Sequence, residues 1–404
     1  MKMETKIFKD DLAPAAELIK AGKLVAVPTE TVYGLAGNGL DPEAVEKIYE
    51  VKGRPSVKPL SLMVPGPEAM DIYCEDVPQA ARALAEKFWP GPLTIIMKAK
   101  KYIPSIVLAG GDTVGLRCPE HKMTLELLRL AQVPFAAPSA NPSGSESPKT
   151  AQKVYEYFNG QIEGIIDGGP CGLGFESTII DMSRIPYKIL RQGALPREKI
   201  EEALAENMQV IGITGGSGSG KTTALKALES LGALVLDCDN IYHRLLETNP
   251  ELLEEIDTAF PGVVREGVLQ RKALGAMVFN DPKALEKLNS ISHRYVDLEI
   301  ERRLRAFAME GGHIAAIDAI ELFAGGQAKR CTYTVAVLAD REKRIERIMA
   351  RDGISREYAQ LRIEAQHPDS YFEQLCDHIL RNDGDVEEFQ KDCMKLFKEI
   401  LNNG

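Results

Sequence analysis

The residues best suited to chemistry stand together at Gly215-Gly216-Ser217-Gly218-Ser219-Gly220-Lys221-Thr222. The run fits G-x-x-x-x-G-K-[ST], in which glycines let the backbone turn tightly and aim its N–H groups at one phosphate. Val210 to Ile213 form an apolar run before it, and Leu225, Leu228 and Leu231 follow at spacings of three, so the order is strand, loop, helix. The helix start adds the positive end of its dipole. Lys221 is expected to reach the outer phosphates of a nucleotide, and Thr222 to offer its hydroxyl to Mg²⁺. A glycine-rich linker between domains would lack the flanking strand and helix.

Other clusters stand to either side. Lys52-Gly53-Arg54-Pro55-Ser56-Val57-Lys58-Pro59 holds three cations on a loop, because its prolines stop helix and sheet. Such a loop can clamp a phosphate, or can simply be a solvated basic turn. Arg117 ends a short strand just before the break at Pro119, and Pro138-Ser139-Ala140-Asn141-Pro142-Ser143-Gly144 is a turn dense in small polar groups. Asp237 and Asp239 stand at a predicted strand end, where alternation would let only one of them face the phosphate loop. Asp318 ends a buried strand, and Arg341, Arg344, Arg347 and Arg351 follow on a helix that is either a solvated face or a lid over phosphates.

These residues need α/β scaffolding, and the pattern supplies it. Short apolar strands are expected at 23–27, 60–64, 94–97, 135–137, 164–167, 177–181 and 188–190. A helix should start at Asp41-Pro42, with Asp as cap and Pro at the first position. From residue 206 strands alternate with helices, which implies a mostly parallel sheet with helices on both faces. At 404 residues and 44% apolar, the chain suits two or three domains. Two are expected, at 1–205 and 207–404. Net charge is −10, split as 24 basic against 26 acidic residues in 1–205 and 25 against 33 thereafter, so a basic second half is excluded. The seven cysteines form no C-x-x-C pair, which argues against a zinc ribbon or disulfide framework and suits a cytoplasmic protein. No apolar run approaches the roughly 18 residues of a membrane span. Met1-Lys2-Met3-Glu4-Thr5-Lys6 leads into charged residues, unlike a signal core.

The first half resembles the YrdC-like family of threonylcarbamoyl-AMP synthases over nearly all of residues 7–200. The resemblance rests on Pro-Thr-Glu-Thr-Val-Tyr-Gly-Leu at 28–35, Lys-Gly-Arg-Pro at 52–55, Pro-Ser-Ala-Asn at 138–141, Ser-Thr-Ile-Ile-Asp at 177–181 and Arg-Gln-Gly at 191–193. It implies a twisted-sheet α/β domain that joins L-threonine, bicarbonate and ATP into threonylcarbamoyl-AMP and pyrophosphate, feeding the t6A modification of tRNA through partner proteins. It assigns Arg117, Thr31 and Ser177 to threonine, and Arg54, Lys58, Thr113, Ser139, Asn141 and Arg191 to ATP. Met63 stands where many members have histidine. An RNA-binding module without synthesis, or weak RNA contact by this half, is the alternative.

The second half resembles dephospho-CoA kinase, a P-loop kinase with a helical lid, throughout its length. Matching residues include Asp237-x-Asp239, Leu274-Gly275-x-x-Val278-Phe279, Leu285-x-x-x-Asn289-x-x-x-His293, Arg351-Asp352-Gly353 and Gln366. The resemblance implies transfer of the ATP γ-phosphoryl group to the ribose 3′-hydroxyl of dephospho-CoA, with Asp239 as base, Lys221 and Arg351 as catalytic cations, and Mg²⁺. ATP is expected on Gly216, Gly218, Ser219, Gly220, Lys221, Thr222 and Thr223, with Asn382 near adenine. Asp318-Ala319-Ile320-Glu321-Leu322-Phe323-Ala324 lacks the family's proline and final glutamate, and His293-Arg294 replaces His-Pro. Another small hydroxyl acceptor, or a regulatory nucleotide switch, is the alternative.

Overall fold

The computed structural model describes residues 4–279 and 281–403, so Met1-Lys2-Met3 lies outside the described residues. The chain divides into two units: residues 1–207 with 309–311, and 208–308 with 312–404.

The first unit holds strands β1 (Lys6–Phe8), β2 (Val25–Val27), β3 (Gly34–Asn38), β4 (Leu62–Met63), β5 (Leu93–Lys98), β6 (Thr113–Arg117), β7 (Phe135–Ala136), β8 (Gly164–Ile166), β9 (Thr178–Asp181) and β10 (Lys188–Arg191). They form one mixed sheet in the order β1-β8-β2-β3-β7-β4-β6-β5-β9-β10. The helix Pro42–Lys52 begins where Asp41-Pro42 predicts, with the Asp41 side chain accepting from the Glu43 N–H at 3.0 Å. It ends at Gly53, whose φ of 58° lies in the left-handed region. Strand β3 was not expected, because Gly-Leu-Ala-Gly-Asn has no β-branched residue. Antiparallel pairing with β2 and β7 holds it extended, and a side chain on Gly37 would meet Leu24 at 3.0 Å. Ala15, Ile19, Leu127, Leu128 and Phe135 pack into the core beneath. Trp89 is buried, its indole N–H donating to the Leu93 carbonyl at 2.8 Å.

The second unit holds β11 (Gln209–Thr214), β12 (Leu234–Asp237), β13 (Val264–Arg265), β14 (Val268–Leu269), β15 (Ile314–Asp318), β16 (Tyr333–Leu338) and β17 (His378–Arg381). Its main sheet runs β12-β15-β11-β16-β17, every pair parallel, and β13 and β14 form a separate hairpin. Ile211, Ile213, Leu228, Val335, Val337, Phe389 and Phe397 fill the core. With β11 at the centre, the glycine loop leaves the carboxyl edge of the sheet, where ligands bind in open α/β folds. The register sets Asp237 opposite Asp318, and Asp318 opposite Ile213, so both acids end beside that loop.

Candidate active sites

In the first unit, Arg54, Ser139, Arg117, Ser177 and Arg191 come together around a cleft of about 160 Å³, with Met63, Thr94 and Glu176 also in its wall. Arg117 closes β6 and is buried. Its Nη2 donates to Glu30 Oε1 and to Thr31 Oγ1, each at 2.7 Å. Arg191 closes β10, where its Nε donates to the Ser177 carbonyl at 3.0 Å, its Nη2 to Ser177 Oγ at 3.2 Å and its Nη1 to Glu176. The Ser177 hydroxyl also shares a 2.9 Å bond with Thr94. Burial holds the Arg191 guanidinium below its usual range; Glu176 opposes this, while Arg117 and Arg54 add to it. Three guanidinium groups thus feel one another around one space, an environment that calls for an anion. Arg54 Nε and Arg117 Nε are both buried with no hydrogen-bond partner.

Gly193 makes this arrangement possible. A Cβ there would sit 2.2 Å from the Glu176 carbonyl oxygen and 2.4 Å from the Ser177 carbonyl carbon, so only glycine lets the 191–193 segment lie against the Glu176-Ser177 backbone that enters β9.

Several assigned residues are placed differently. Lys58 is exposed: the proline-bounded loop turns it outward, and its backbone is engaged, the N–H donating to the Pro55 carbonyl at 3.2 Å and the carbonyl accepting from the Tyr49 hydroxyl at 2.8 Å. Thr113 opens β6 opposite Lys98, at the far end of the strand from Arg117 and outside the cleft wall. Thr31 is fully buried, and its hydroxyl accepts from Arg117 and shares a 2.8 Å bond with Thr29. Asn141 is buried behind the wall, donating to the Pro142 and Ser145 carbonyls at 3.0 and 2.7 Å. Lys52, one of the three cations expected on the 52–58 loop and given no site role there, is instead the last residue of the helix Pro42–Lys52. It is buried, donates to the Asn141 carbonyl at 2.5 Å and to the Ser139 carbonyl, and so fixes the Ser139 turn. Burial pushes its ammonium down to about 8, helped by Arg54 and opposed by Glu176.

In the second unit the loop takes the phosphate-cradling shape. Gly215, Gly218 and Gly220 have φ of 132°, 78° and 107°. A Cβ on Gly220 would come within 2.0 Å of Asn382 Nδ2, and one on Gly216 within 2.0 Å of Arg344 Nη2. Lys221 opens the helix Lys221–Ser230. Its ammonium donates to the Gly215 carbonyl at 3.0 Å and lies 4.0 Å from Asp318 Oδ1. Thr222 follows, exposed, in the first helical turn, and the Thr223 N–H is already bonded to the Gly220 carbonyl at 2.9 Å. Ser219 Oγ is buried and unpartnered. Asn382 Nδ2 donates to the Ser219 carbonyl at 2.8 Å.

The two acids are not on strand alternation as expected. Strand β12 stops at Asp237, whose side chain caps the helix Cys238–Thr248 by accepting from the Asn240 N–H at 2.9 Å. Asp239 is therefore in the first helical turn and exposed. Asp318 has Oδ1 buried without a partner. Burial pushes its carboxyl up to about 6; Lys221 opposes this, and Asp237 and Asp239 reinforce it. Both acids therefore lie within electrostatic reach of Asp318 and the phosphate loop.

Arg351 also stands apart from the loop. It is exposed and forks onto its neighbour Asp352 at 2.7 and 3.0 Å, because it sits at the last turn of the helix Arg341–Asp352, beyond the loop. Arg344 and Arg347, earlier on the same helix, reach the loop instead. Arg344 donates to the Ser217 carbonyl at 3.0 Å and to Gln366 at 3.1 Å, and Arg347 to the Gly218 carbonyl at 3.3 Å and the Asn382 carbonyl at 3.1 Å. Gln366 closes the circuit, accepting from the Ser217 N–H and donating to its hydroxyl, both at 2.9 Å. Among the described residues no three His, Cys, Asp or Glu side chains are grouped to hold a metal by themselves. Hard oxygen donors at the loop include the Thr222 hydroxyl and the Asp318 carboxylate, whose Oδ1 has no hydrogen-bond partner, and they fit Mg²⁺ bound mainly through phosphate oxygens and water.

Fold and site together define an α/β domain with a three-arginine anion cleft, joined to a P-loop nucleotide-binding domain with an all-parallel sheet. Residues 17–193 match the Sua5/YciO/YrdC family model, described as telomere recombination, and residues 209–388 match the CoaE model, described as dephospho-CoA kinase. The chain belongs to the Sua5/YciO/YrdC family through its first half and is a fusion of that domain with a dephospho-CoA kinase domain. It is 47% identical to the threonylcarbamoyl-AMP synthase of Pyrococcus abyssi over 192 residues, covering 48% of this chain and 56% of that one. With the putative threonylcarbamoyl-AMP synthase of Methanocaldococcus jannaschii it shares 37% identity over 179 residues, covering 44% of this chain and 84% of that one. The chain thus spans 56% of the Pyrococcus relative's length. The crystal structure of P. abyssi Sua5 complexed with L-threonine overlaps 81% of this chain and 96% of its own, at a TM-score of 0.48 and 29% identity.

Proposed function

We propose that the protein is a bifunctional enzyme. Its first half forms threonylcarbamoyl-AMP from L-threonine, bicarbonate and ATP, and its second half phosphorylates the 3′-hydroxyl of dephospho-CoA with ATP. For the first half, the observation that carries the reading is the pair of buried, unpartnered guanidinium nitrogens on Arg54 and Arg117 in one cleft. A buried donor without an acceptor costs roughly 1–3 kcal/mol, and an anionic ligand relieves that cost. Arg117 takes the threonine carboxylate, and Ser177 is the small polar group at its side. Arg54 and Arg191 take the triphosphate, with Ser139 at the nucleotide. The threonine amine adds to the carbon of bicarbonate and water leaves, giving the carbamate; a carbamate oxygen then attacks the α-phosphorus, the bond to the α,β-bridging oxygen breaks, and pyrophosphate leaves. Catalysis is positioning and charge stabilisation, with no side-chain nucleophile.

In the kinase half, Asp239 accepts the proton of the attacking hydroxyl, the new bond forms to the γ-phosphorus, and ADP leaves. Lys221 and the loop amides between Gly216 and Thr223 hold the phosphates, while Asn382 and Arg347 brace the loop from the adenine side. Thr222 and Asp318 would hold Mg²⁺, which supplies charge neutralisation on the phosphates. The exposed position of Asp239, within electrostatic reach of the half-buried Asp318 that faces Lys221, supports this division of roles. We place the enzyme in the cytoplasm, passing threonylcarbamoyl-AMP to tRNA-modifying partners. No helix among the described residues is long and apolar enough to cross a membrane.

Product identification by mass spectrometry tests both halves. ATP, threonine and bicarbonate should yield threonylcarbamoyl-AMP and pyrophosphate, and ATP with dephospho-CoA should yield coenzyme A and ADP. Failure of either product rejects that half of the reading, and turnover of another hydroxyl acceptor alone would reassign the kinase.

A further inference from the structure

Arg117 is paired with a carboxylate that the reaction above does not use. The Arg117 and Glu30 side chains are 9% and 10% exposed, and their contact is 2.7 Å long. Both Glu30 oxygens are committed: Oε1 to Arg117, and Oε2 to the Glu120 N–H at 3.0 Å. The Glu30 backbone is tied down as well, its carbonyl accepting from the Leu173 N–H at 2.8 Å, while the Thr31 carbonyl accepts from Gly174 at 3.1 Å. Thr31 Oγ1 takes the same Arg117 Nη2, and is itself fixed by Thr29. One end of the guanidinium is therefore held at two points by a rigid turn. Nε of the same group is buried and has no protein acceptor.

Removing a carboxylate and a guanidinium from water costs several kcal/mol per ion, and such pairs are weak stabilisers of a fold. A planar guanidinium recognises a carboxylate through a fixed fork, so the orientation of that plane decides whether it binds. We propose that Glu30 is a positioning residue: with Thr31 it clamps the Nη2 end of Arg117, turning the remaining guanidinium donors to the carboxylate of the amino-acid substrate. The inference rests on the threonine reading of the cleft. It makes the acid of the Pro28–Leu35 segment an orienter of the binding cation, with no contact to the substrate. The Arg117–Glu30 ion pair carries no net charge when the cleft is empty, so threonine binding adds a single carboxylate beside a balanced pair.

The test uses the full chain and pyrophosphate release, with threonine and ATP varied separately, beside calorimetry with L-threonine. Glu30→Ala should raise KM for threonine roughly 10-fold or more, since a small misplacement of a binding group costs that much. KM for ATP should stay within about twofold, as expected for a group that touches only the amino-acid side. Glu30→Gln keeps an oxygen for Arg117 and should recover most of the loss. A purely structural staple would instead shift both KM values together and lower thermal stability in proportion. Unchanged threonine KM in Glu30→Ala, or an equal rise for ATP, overturns the proposal. Should Glu30→Ala fail to fold, Glu30→Gln decides: a rise confined to threonine supports the clamp, and no rise or a shared rise refutes it. Arg117→Ala separates the two levels. Wild-type threonine affinity in Arg117→Ala overturns the threonine reading and the clamp with it, whereas a defective Arg117→Ala beside a normal Glu30→Ala overturns the clamp alone.

Discussion

Replacing Asp318 by Asn should make the kinase half more stable and less active. Asp318 ends β15 with Oδ1 buried and unpartnered, its side chain 16% exposed and 4.0 Å from the Lys221 ammonium. Burial is the largest influence and raises its carboxyl from 3.8 to about 6, against the pull of Lys221. The folded state therefore holds this proton more tightly than the unfolded chain does. Stability from this group is full below pH about 4 and falls as pH rises through about 6. At about 1.4 kcal/mol per pH unit, the ionised carboxylate costs the fold roughly 3 kcal/mol at neutral pH. Asn has the shape without the charge, so Asp318→Asn should exceed the parent by about 2–3 kcal/mol at pH 8, with the gap closing toward pH 4. Urea unfolding in metal-free buffer at several pH values measures this. Trp89, the single tryptophan, belongs to the first unit, so its fluorescence transition should not move while the far-ultraviolet transition of the second unit does. A gap independent of pH, or a less stable variant at pH 8, would refute the reasoning. Coenzyme A formation should fall in the same variant, the trade expected where a strained charge serves function.

Asp239→Asn should lower kcat with dephospho-CoA by roughly 10²–10⁴ while ATP affinity changes little; near-normal turnover would remove Asp239 as base. Arg117→Ala should weaken threonine binding by about 2–5 kcal/mol and spare ATP, as read by calorimetry. Lys221→Ala should abolish coenzyme A formation and leave threonine-dependent pyrophosphate release within about twofold, and Arg54→Ala should do the reverse. Loss of both activities in a folded Lys221→Ala protein would mean a shared site or switch.

The parts legible in the sequence are those where one residue type is demanded by backbone geometry or by a cap. The phosphate loop announces itself because Gly215, Gly218 and Gly220 must take positive φ, and Asp41-Pro42 because a cap and a fixed φ suit a helix start. Side chains whose roles depend on distance along an element are less readable. Arg344, Arg347 and Arg351 share one helix face, and only the fold decides which of them overhangs the loop. Strand parity is the wrong frame for Asp237 and Asp239, since a helix begins between them at Cys238. Thr113 and Lys58 belong to the right segments, but the far end of a strand and the outer side of a proline loop keep them from the cleft. Strand β3 was invisible because its extended form comes from its neighbours.

What no motif conveys is whether a buried polar atom is satisfied. Arg117 and Lys221 each stand next to a carboxylate, and each pair leaves one buried atom open: Nε of Arg117, and Oδ1 of Asp318. The two cases have opposite sign. The open atom in the first unit is a donor and wants an anion. In the second it belongs to an acid, and wants a cation or a proton. That difference follows from the chemistry each half is proposed to perform. A substrate carboxylate needs a preformed positive fork, whereas a nucleotide brings its own negative charge, so a carboxylate beside its phosphates is tolerable only with a metal between them. The burial of Asp318 raises its proton affinity in the free protein, and phosphate-bound Mg²⁺ would compete with that proton. Nucleotide affinity in the second unit should therefore weaken as pH falls through about 6, and the first unit's threonine affinity should not share that dependence.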